Sequence, residues 1–192
     1  MGPEGAAQLS ALSELFRCAV ATCLPQSVAV LGVAGGNGLE NIEHTGVKRV
    51  VGIDINPRYL QRVEQRFGGM AGLELHCADI SRCAPGLEAV DLVHAALIFE
   101  HTGMEPALGN ALSLVAPGGS FSVVLQLPAS GESAVAKTSF ASMQRLAPHF
   151  VFIDTGRFRG VMEDSGFVLA AEQTRTVNGG KSLWLGIFGR GK

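Results

Sequence analysis

The stretch SVAVLGVAGGNG, residues 27–38, decides the fold. Its first half is short, apolar and rich in β-branched residues, which predicts a buried strand. Its second half consists of small residues and leads into LENI, where we predict the start of a helix. Small residues let a ligand approach the backbone, and the free N–H groups at a helix start favour anionic or polar groups. The stretch therefore predicts a strand, a glycine-rich bend and a helix, although many such bends contain glycine without binding a ligand.

Outward from this stretch, strand and helix patterns alternate along the chain. This alternation predicts an α/β fold with a doubly wound, mostly parallel sheet and helices on both faces. The closing pair of strands, joined by Asn178-Gly179-Gly180, predicts an antiparallel C-terminal hairpin. Asn56 and Pro57 mark the start of one helix. The seven predicted strands are 27–32, 47–54, 73–77, 91–96, 121–127, 166–177 and 182–189, and the main helices are about 10–24, 57–67, 108–115 and 155–164.

Two carboxylates follow the next two strands, at the edge of the sheet where the glycine bend lies. In a doubly wound sheet, ligands bind outside the carboxyl ends of the strands, where the strand order reverses. Asp54 can accept hydrogen bonds from both hydroxyls of a ribose there, and Asp79 can accept one from an adenine amino group. Asp54 could instead support the helix start before Pro57, and Asp79 could cap the loop before Ser81. Together with the bend, the two acids point to a nucleoside.

These motifs resemble those of the class I S-adenosylmethionine-dependent methyltransferases over about residues 27–189. The family's first motif, acid-x-Gly-x-Gly-x-Gly, corresponds to residues 32–38, with Gly32 in place of the acid and Ala34 in place of the first glycine. The segments DLVHAALIFEHT and LVAPGGSFSVVLQL resemble its fourth and fifth motifs. The resemblance implies that S-adenosylmethionine is the cofactor and is bound by Gly32, Ala34, Gly35, Gly36, Gly38, Asp54, Ile55, Asp79, Ile80 and Ala95.

The resemblance also implies the chemistry, which is in-line transfer of a methyl group from a sulfonium to an acceptor. The protein's main contribution is then to position donor and acceptor, and a base is needed only if the acceptor must lose a proton. Glu100 and His101 follow the fourth strand and are the candidate catalytic residues, although both could merely begin the next helix. His94 lies inside the apolar fourth strand, and we expect it to be a core histidine.

Other functions are compatible with parts of this pattern. A nicotinamide dinucleotide fingerprint, GxGxxG, fails from Gly36 because Asn41 occupies the position of its third glycine. A non-catalytic S-adenosylmethionine-binding module remains open. An aminopropyltransferase-like enzyme also remains open, but Glu100 and Glu105 are the only acids near the fourth motif that could bind a polyamine.

Charge and apolar patterning narrow the choice of partners. The net charge of -2 and the absence of a basic stripe argue against nucleic acid. No apolar run approaches the ~20 residues of a membrane span, and no signal-peptide pattern opens the chain, so we expect a cytoplasmic protein. The 4 cysteines form no CxxC pair, which predicts free thiols and no metal site.

Size and layout complete the expectations. We expect residues 1–192 to form one methyltransferase domain, beginning with a helix in 1–24, and to act as a monomer or homodimer on a small-molecule acceptor. Residues 128–150 could cover the acceptor site, with Phe140, Met143 and Phe150 as an apolar wall.

Overall fold

A seven-stranded sheet forms the centre of the protein, as a computed structural model describes it for residues 3–43, 45–128, 150–177 and 181–191. The strand order is β3-β2-β1-β4-β5-β7-β6. The strands are β1 (Ser27–Leu31), β2 (Arg49–Asp54), β3 (Leu73–Cys77), β4 (Val90–Ala96), β5 (Val115–Leu127), β6 (Phe167–Thr176) and β7 (Ser182–Arg190). All seven predicted strands are present, and the predicted fold class is confirmed.

The pairing divides the sheet into a parallel and an antiparallel part. Strands β1 to β5 pair in parallel, whereas β7 runs antiparallel to both β5 and β6. The chain builds outward from β1 to β2 and β3, then returns to place β4 on the other side of β1. The strand order therefore reverses between β1 and β4, and a ligand cleft is expected at the carboxyl ends of these strands.

Helices cover both faces of the sheet. They are α1 (Pro3–Cys23), α2 (Pro57–Phe67), α3 (Phe99–Thr102), α4 (Ala107–Leu112) and α5 (Thr155–Asp164). Apolar side chains of α1 and α2 pack in one core cluster, and those of α3, α4 and α5 pack in a second. Alternate β1 residues divide between the two clusters, Val28 and Val30 in the first and Ala29 and Leu31 in the second, because successive strand side chains point to opposite faces.

Helix α2 begins as its sequence predicts. The Asn56 side chain accepts a hydrogen bond from the Arg58 N–H at 3.1 Å, and Pro57 occupies the first turn. Leu60 and Val63 are buried on one side of the helix. The local cap and the apolar spacing agree, so the sequence fixes both the start of this helix and the face it buries.

Two predicted elements differ in extent. The segment after the glycine bend forms only a four-residue 3-10 turn, Leu39–Ile42, in place of a full helix. Strand β5 begins at Val115, ahead of the predicted 121, because the segment before Ser120 continues the pairing with β4 across an irregular register. The predicted hairpin turn at 178–180 lies outside the described residues, as do 129–149 of the predicted acceptor-site cover.

None of the helices in the described ranges combines the length and apolar character that crossing a membrane requires.

Candidate functional site

Three strand tips meet at the carboxyl edge of the sheet. The Asp54 carboxylate, at the end of β2, accepts a hydrogen bond from the Ala34 N–H of the glycine bend at 2.9 Å. The Asp54 carbonyl accepts another from the Ala78 N–H, just beyond β3, at 3.1 Å. The predicted bend, first acid and second acid therefore belong to one continuous hydrogen-bonded edge.

The bend, defined as residues 32–38, follows a path that few residues other than glycine adopt. Gly32, Gly36 and Gly38 have φ values of 62°, 77° and 94°, and Ala34 has 47°. A Cβ at Gly36 would lie 2.7 Å from Phe67 Cε2, and one at Gly38 would lie 3.1 Å from Phe16 Cδ1. These glycines are required by backbone conformation and by packing against α2 and α1. At Gly35 an added Cβ would make only an ordinary van der Waals contact, 3.8 Å from the Arg66 guanidinium, which also donates to the Gly35 carbonyl.

Asp54 has a structural role and retains capacity for a ligand. Its two carboxylate oxygens accept from Ala34 N–H and from Asn56 N–H, the latter at 2.8 Å. A carboxylate offers about four acceptor positions, so hydroxyl groups of a ligand can still be bound. Ile55 follows with 63 % of its surface exposed, an unusual value for a large apolar side chain at a strand end. The edge thus presents a carboxylate and an uncovered apolar surface side by side, which fits the sugar and base of a nucleoside.

Asp79 and Ile80 supply the polar groups expected for the base. One Asp79 oxygen accepts from the Ser81 N–H at 2.9 Å and from the Ser81 hydroxyl at 2.6 Å, so the predicted loop cap is present. The other Asp79 oxygen and the Ile80 N–H have no hydrogen-bond partner among the described residues. The Ile80 carbonyl is held by the Asn110 side chain at 2.8 Å. An acceptor and a donor therefore remain available next to each other.

The end of the bend nearest β4 is apolar. Gly32 stands where the resemblance places an acid, and a Cβ there would lie 2.1 Å from Cδ1 of Ile98. The Ile98 side chain therefore fills the space that a larger residue 32 would need. Ala95 is fully buried within the sheet, so only its backbone could contribute to a cofactor site.

Glu100 is a buried carboxyl in α3. One of its oxygens accepts from the Gln126 N–H of β5 at 2.8 Å, and the other has no hydrogen-bond partner within the described part of the chain. Its backbone carbonyl also accepts from the Val151 N–H at 2.9 Å. Burial raises the pKa of Glu100 to about 7. The side chain joins the ends of β4 and β5 and is fully covered in this conformation.

His101 is exposed and borders an aromatic cluster. Its ring packs edge-on against Phe150 with 5.4 Å between centroids, and Phe150 packs the same way against Phe152 at 5.3 Å. Partial burial lowers the pKa of His101, which favours the neutral imidazole at neutral pH. The histidine thus presents an exposed imidazole against two half-buried phenylalanines next to α3.

A cleft of about 420 Å³ opens on the far side of α3. The lining is mainly apolar but includes the charged side chains of Glu105, Asp154 and Arg157. The other lining residues are Gly103, Met104, Val151, Phe152 and Ile153. Ile98, at one end of α3, contacts the bend, and Gly103, at the other end, lines the cleft. Helix α3 has only 4 residues, or about 6 Å of helix, so the cleft lies close to the bend.

Other polar residues of the described chain, among them the predicted core histidine, have structural roles. His94 is buried, contacts the Ser122 hydroxyl at 2.7 Å and packs on Phe16, as expected for a core histidine. Asp91, in the fourth motif, accepts from the Gln26 and Ser27 N–H groups at 2.9 Å, at the opposite edge of the sheet. Arg159 pairs with Glu172 and lies over the Trp184 ring.

The fold is Rossmann-like, and the carboxyl edge of its sheet is the candidate nucleoside site. The sequence profile described as "Methyltransferase domain" matches residues 28–119, which run from β1 through the start of β5. This part of the chain matches the methyltransferase family, and the seven-stranded sheet has the fold of the class I S-adenosylmethionine-dependent methyltransferases. No curated protein sequence matches it significantly.

Solved structures with the same fold share little sequence with the chain. The N-methyltransferase NodS from Bradyrhizobium japonicum WM9, in complex with S-adenosyl-L-homocysteine, has a TM-score of 0.72 at 18% identity, over 100% of this chain and 89% of that one. Magnesium protoporphyrin IX methyltransferase from Synechocystis PCC 6803, with bound SAM, has a TM-score of 0.71 at 15% identity, over 96% of this chain and 80% of that one. A putative RNA methyltransferase from Pyrococcus horikoshii has a TM-score of 0.64 at 14% identity, over 95% of this chain and 85% of that one. The fold is thus shared by proteins with very different acceptors.

Sequence reasoning found the edge but missed several of its contacts. Ile98 over Gly32 and the cleft beyond α3 depend on how distant segments pack, and no local pattern marks them. The helix start at Asp154, by contrast, had a local signal, since an aspartate directly before a helical segment is a common N-cap. The assignments of individual residues to cofactor and catalysis stay predictions.

Proposed function

We propose that this methyltransferase transfers the methyl group of S-adenosylmethionine to a small-molecule acceptor bound in the cleft beyond α3. The observation that carries the proposal is the position of α3, which contacts the glycine bend at Ile98 and lines the cleft at Gly103. A donor held at the bend and an acceptor held in the cleft would be separated by this one short helix. Proximity of this kind is the main requirement of an in-line displacement.

The size and chemistry of the cleft support a small molecule. A volume of about 420 Å³ falls within the roughly 300–1,000 Å³ of typical small-molecule pockets. Its walls are mainly apolar, with Met104 and Phe152 among them, and Arg157, Asp154 and Glu105 offer a few polar contacts. The net charge of -2 does not favour a polyanion such as RNA.

Each part of the edge has a role in this proposal. The bend accommodates the amino-acid portion of the cofactor, Asp54 binds the ribose hydroxyls, and Asp79 with the Ile80 N–H binds the adenine. When bound, S-adenosylmethionine supplies an already activated methyl group. The chain therefore needs to hold the two reactants in line and to keep water away from them.

His101 is the better placed of the two candidate bases. Its imidazole is exposed beside the cleft wall, and its lowered pKa keeps it neutral and able to accept a proton at pH 7. Glu100 is fully covered and bonded to Gln126, which supports a role in positioning α3 rather than in contact with the acceptor. The proposed roles are thus base for His101 and positioning residue for Glu100.

Cofactor binding is tested by calorimetry with S-adenosylmethionine and its demethylated product. Replacing Asp54 by Ala should weaken binding of both by about 1.5–3 kcal/mol, the value of hydrogen bonds to a charged group. Asp164→Ala is the matched control, because Asp164 is an exposed acid at the end of α5. Equal affinities of the Asp54 variant and the native chain would rule out the placement of the ribose.

Acceptor class is tested with a labelled methyl donor. The native chain is incubated with a small-molecule extract, with total RNA and with total protein, and each is assayed for label. Label in the extract that is lost in Phe152→Ala supports the proposal, because Phe152 lines the cleft. Label confined to RNA or protein would overturn the small-molecule acceptor while leaving the methyltransferase activity intact.

A further inference from the structure

A polar network joins α1 to the second half of the glycine bend. The Ser13 hydroxyl donates to Glu40 at 3.1 Å, and the Asn41 side chain donates to the same hydroxyl at 2.8 Å and to the Ser13 carbonyl at 3.1 Å. The Asn37 side chain donates to the Leu9 carbonyl at 3.0 Å. We call these five residues the α1–bend network.

Within this network, Glu40 takes up one backbone donor of the bend. Its carboxylate accepts from the Gly38 N–H at 3.1 and 3.2 Å. The N–H groups of Gly35 and Asn37 have no hydrogen-bond partner among the described residues. The network therefore determines which amides of the bend are occupied by the protein and which remain available for a ligand.

The two halves of the bend are held by different parts of the fold. The first half is fixed by Asp54 of β2 through the Ala34 N–H. The second half is fixed by α1, whose Phe16 and Ser13 lie 3.1 and 3.5 Å from the position of a Cβ on Gly38. Neither Asp54 nor Asp79 contributes a hydrogen bond to the α1–bend network.

We propose that Ser13 and Glu40 are positioning residues for the amino-acid portion of the cofactor, which makes α1 a working part of the cofactor site. This inference rests on the proposed function, in which the bend receives that portion and the two aspartates receive the nucleoside. Loss of the Ser13 hydroxyl removes one hydrogen bond from Glu40 and one from Asn41 and loosens residues 37–41. Glu40 keeps its bond from the Gly38 N–H, and Asn41 keeps its bonds to the Ser13 and Gly38 carbonyls. The contacts to ribose and adenine, which β2 and β3 supply, are left as they are.

The test compares two ligands that differ only in the amino-acid portion. S-adenosylhomocysteine contains it, and 5′-methylthioadenosine lacks it. Ser13→Ala should lower the affinity for S-adenosylhomocysteine about five- to tenfold, which corresponds to the loss of roughly one hydrogen bond. The affinity for 5′-methylthioadenosine should stay within about twofold of the native value. Ser13→Thr retains a hydroxyl and should restore the affinity. Ser10→Ala is the matched control, because Ser10 lies exposed on the same helix and its side chain makes no hydrogen bond with the described residues.

The outcomes separate this inference from the proposed function. Failure of the native chain to bind S-adenosylhomocysteine overturns both. If the native chain binds S-adenosylhomocysteine but Ser13→Ala lowers the affinity for both ligands equally, the positioning role alone is overturned. The same holds if Ser13→Ala lowers neither affinity. Unfolding midpoints of Ser13→Ala and Ser10→Ala are measured in parallel. A general loss of structure would lower the midpoint and weaken both ligands together, which also counts against the positioning role.

Discussion

Gly35 and Gly36 are neighbours in sequence but face different constraints. Gly36 has a φ of 77°, and a Cβ there would meet the Phe67 ring at 2.7 Å. Gly35 has no such restriction, and the closest atom to an added Cβ is 3.8 Å away. Glycine is therefore required by backbone conformation and packing at position 36, whereas position 35 has room for a Cβ.

Alanine at each position should separate these roles. Gly36→Ala should lower the free energy of unfolding by about 1–2 kcal/mol or more, because an L-residue is strained at this φ and the Cβ overlaps Phe67. Gly35→Ala should leave the free energy of unfolding within about 0.5 kcal/mol of the native value. It should weaken binding of S-adenosylhomocysteine, because the new methyl group occupies space proposed for the ligand. Urea unfolding and calorimetry measure the two effects. Equal stability of the two variants would contradict the assigned conformations.

At the scale of elements, local signals predict helix starts well and helix lengths poorly. Asn56 and Pro57 fix the start of α2, and the structure confirms it. The segment after the bend shows the opposite case. It was predicted as a full helix, but its side chains Glu40 and Asn41 bond back to Gly38 and α1, and only the 3-10 turn 39–42 forms. Contacts with a distant helix decided its length, and a local pattern does not contain them.

The start of α5 offers a test at this scale. The Asp154 carboxylate accepts from the Arg157 N–H at 2.7 Å, and Asp154 also lines the cleft. Asp154→Ala should cost about 1 kcal/mol of unfolding free energy, and Asp154→Ser, which can still cap, should recover most of it. Chemical denaturation of the three chains measures this. If Ser is no better than Ala, the cap does not stabilise α5.

At the scale of the whole molecule, the sequence predicted the order of layers because strands alternate with helices. The sequence could not predict how strongly burial would shift the pKa values of titratable groups in the core. Burial raises the pKa of Glu100 to about 7 and lowers that of His94 to about 3. Glu100 was predicted as a catalytic group and His94 as a core residue, but the depth of burial that shifts both arises only when α3 and α1 close over the sheet.

These two groups affect stability in opposite directions. The folded chain holds the Glu100 proton more tightly than the unfolded chain does, so this contribution is full below pH 4.5 and is lost as the pH rises to about 7. The folded chain disfavours the His94 proton, so that contribution is full above pH 6.5 and is lost as the pH falls toward 3. Between pH 4.5 and 6.5 the two slopes have opposite signs and nearly equal size, and they should cancel.

Removing one group should expose the other. In Glu100→Gln the neutral side chain can still accept from Gln126, so His94 alone determines the slope that this pair contributes between pH 4.5 and 6.5. The free energy of unfolding should then rise by about 1.4 kcal/mol per pH unit relative to the native chain. Above pH 7 the variant should be more stable by roughly 3 kcal/mol, because the native chain must ionise a buried carboxyl. Glu105→Gln, which changes an exposed glutamate beside the same helix, is the control for urea unfolding across this pH range. Parallel curves for Glu100→Gln and the native chain would show that Glu100 ionises as readily in the folded protein as in the unfolded one, and the positioning role assigned to its buried carboxyl would lose its electrostatic basis.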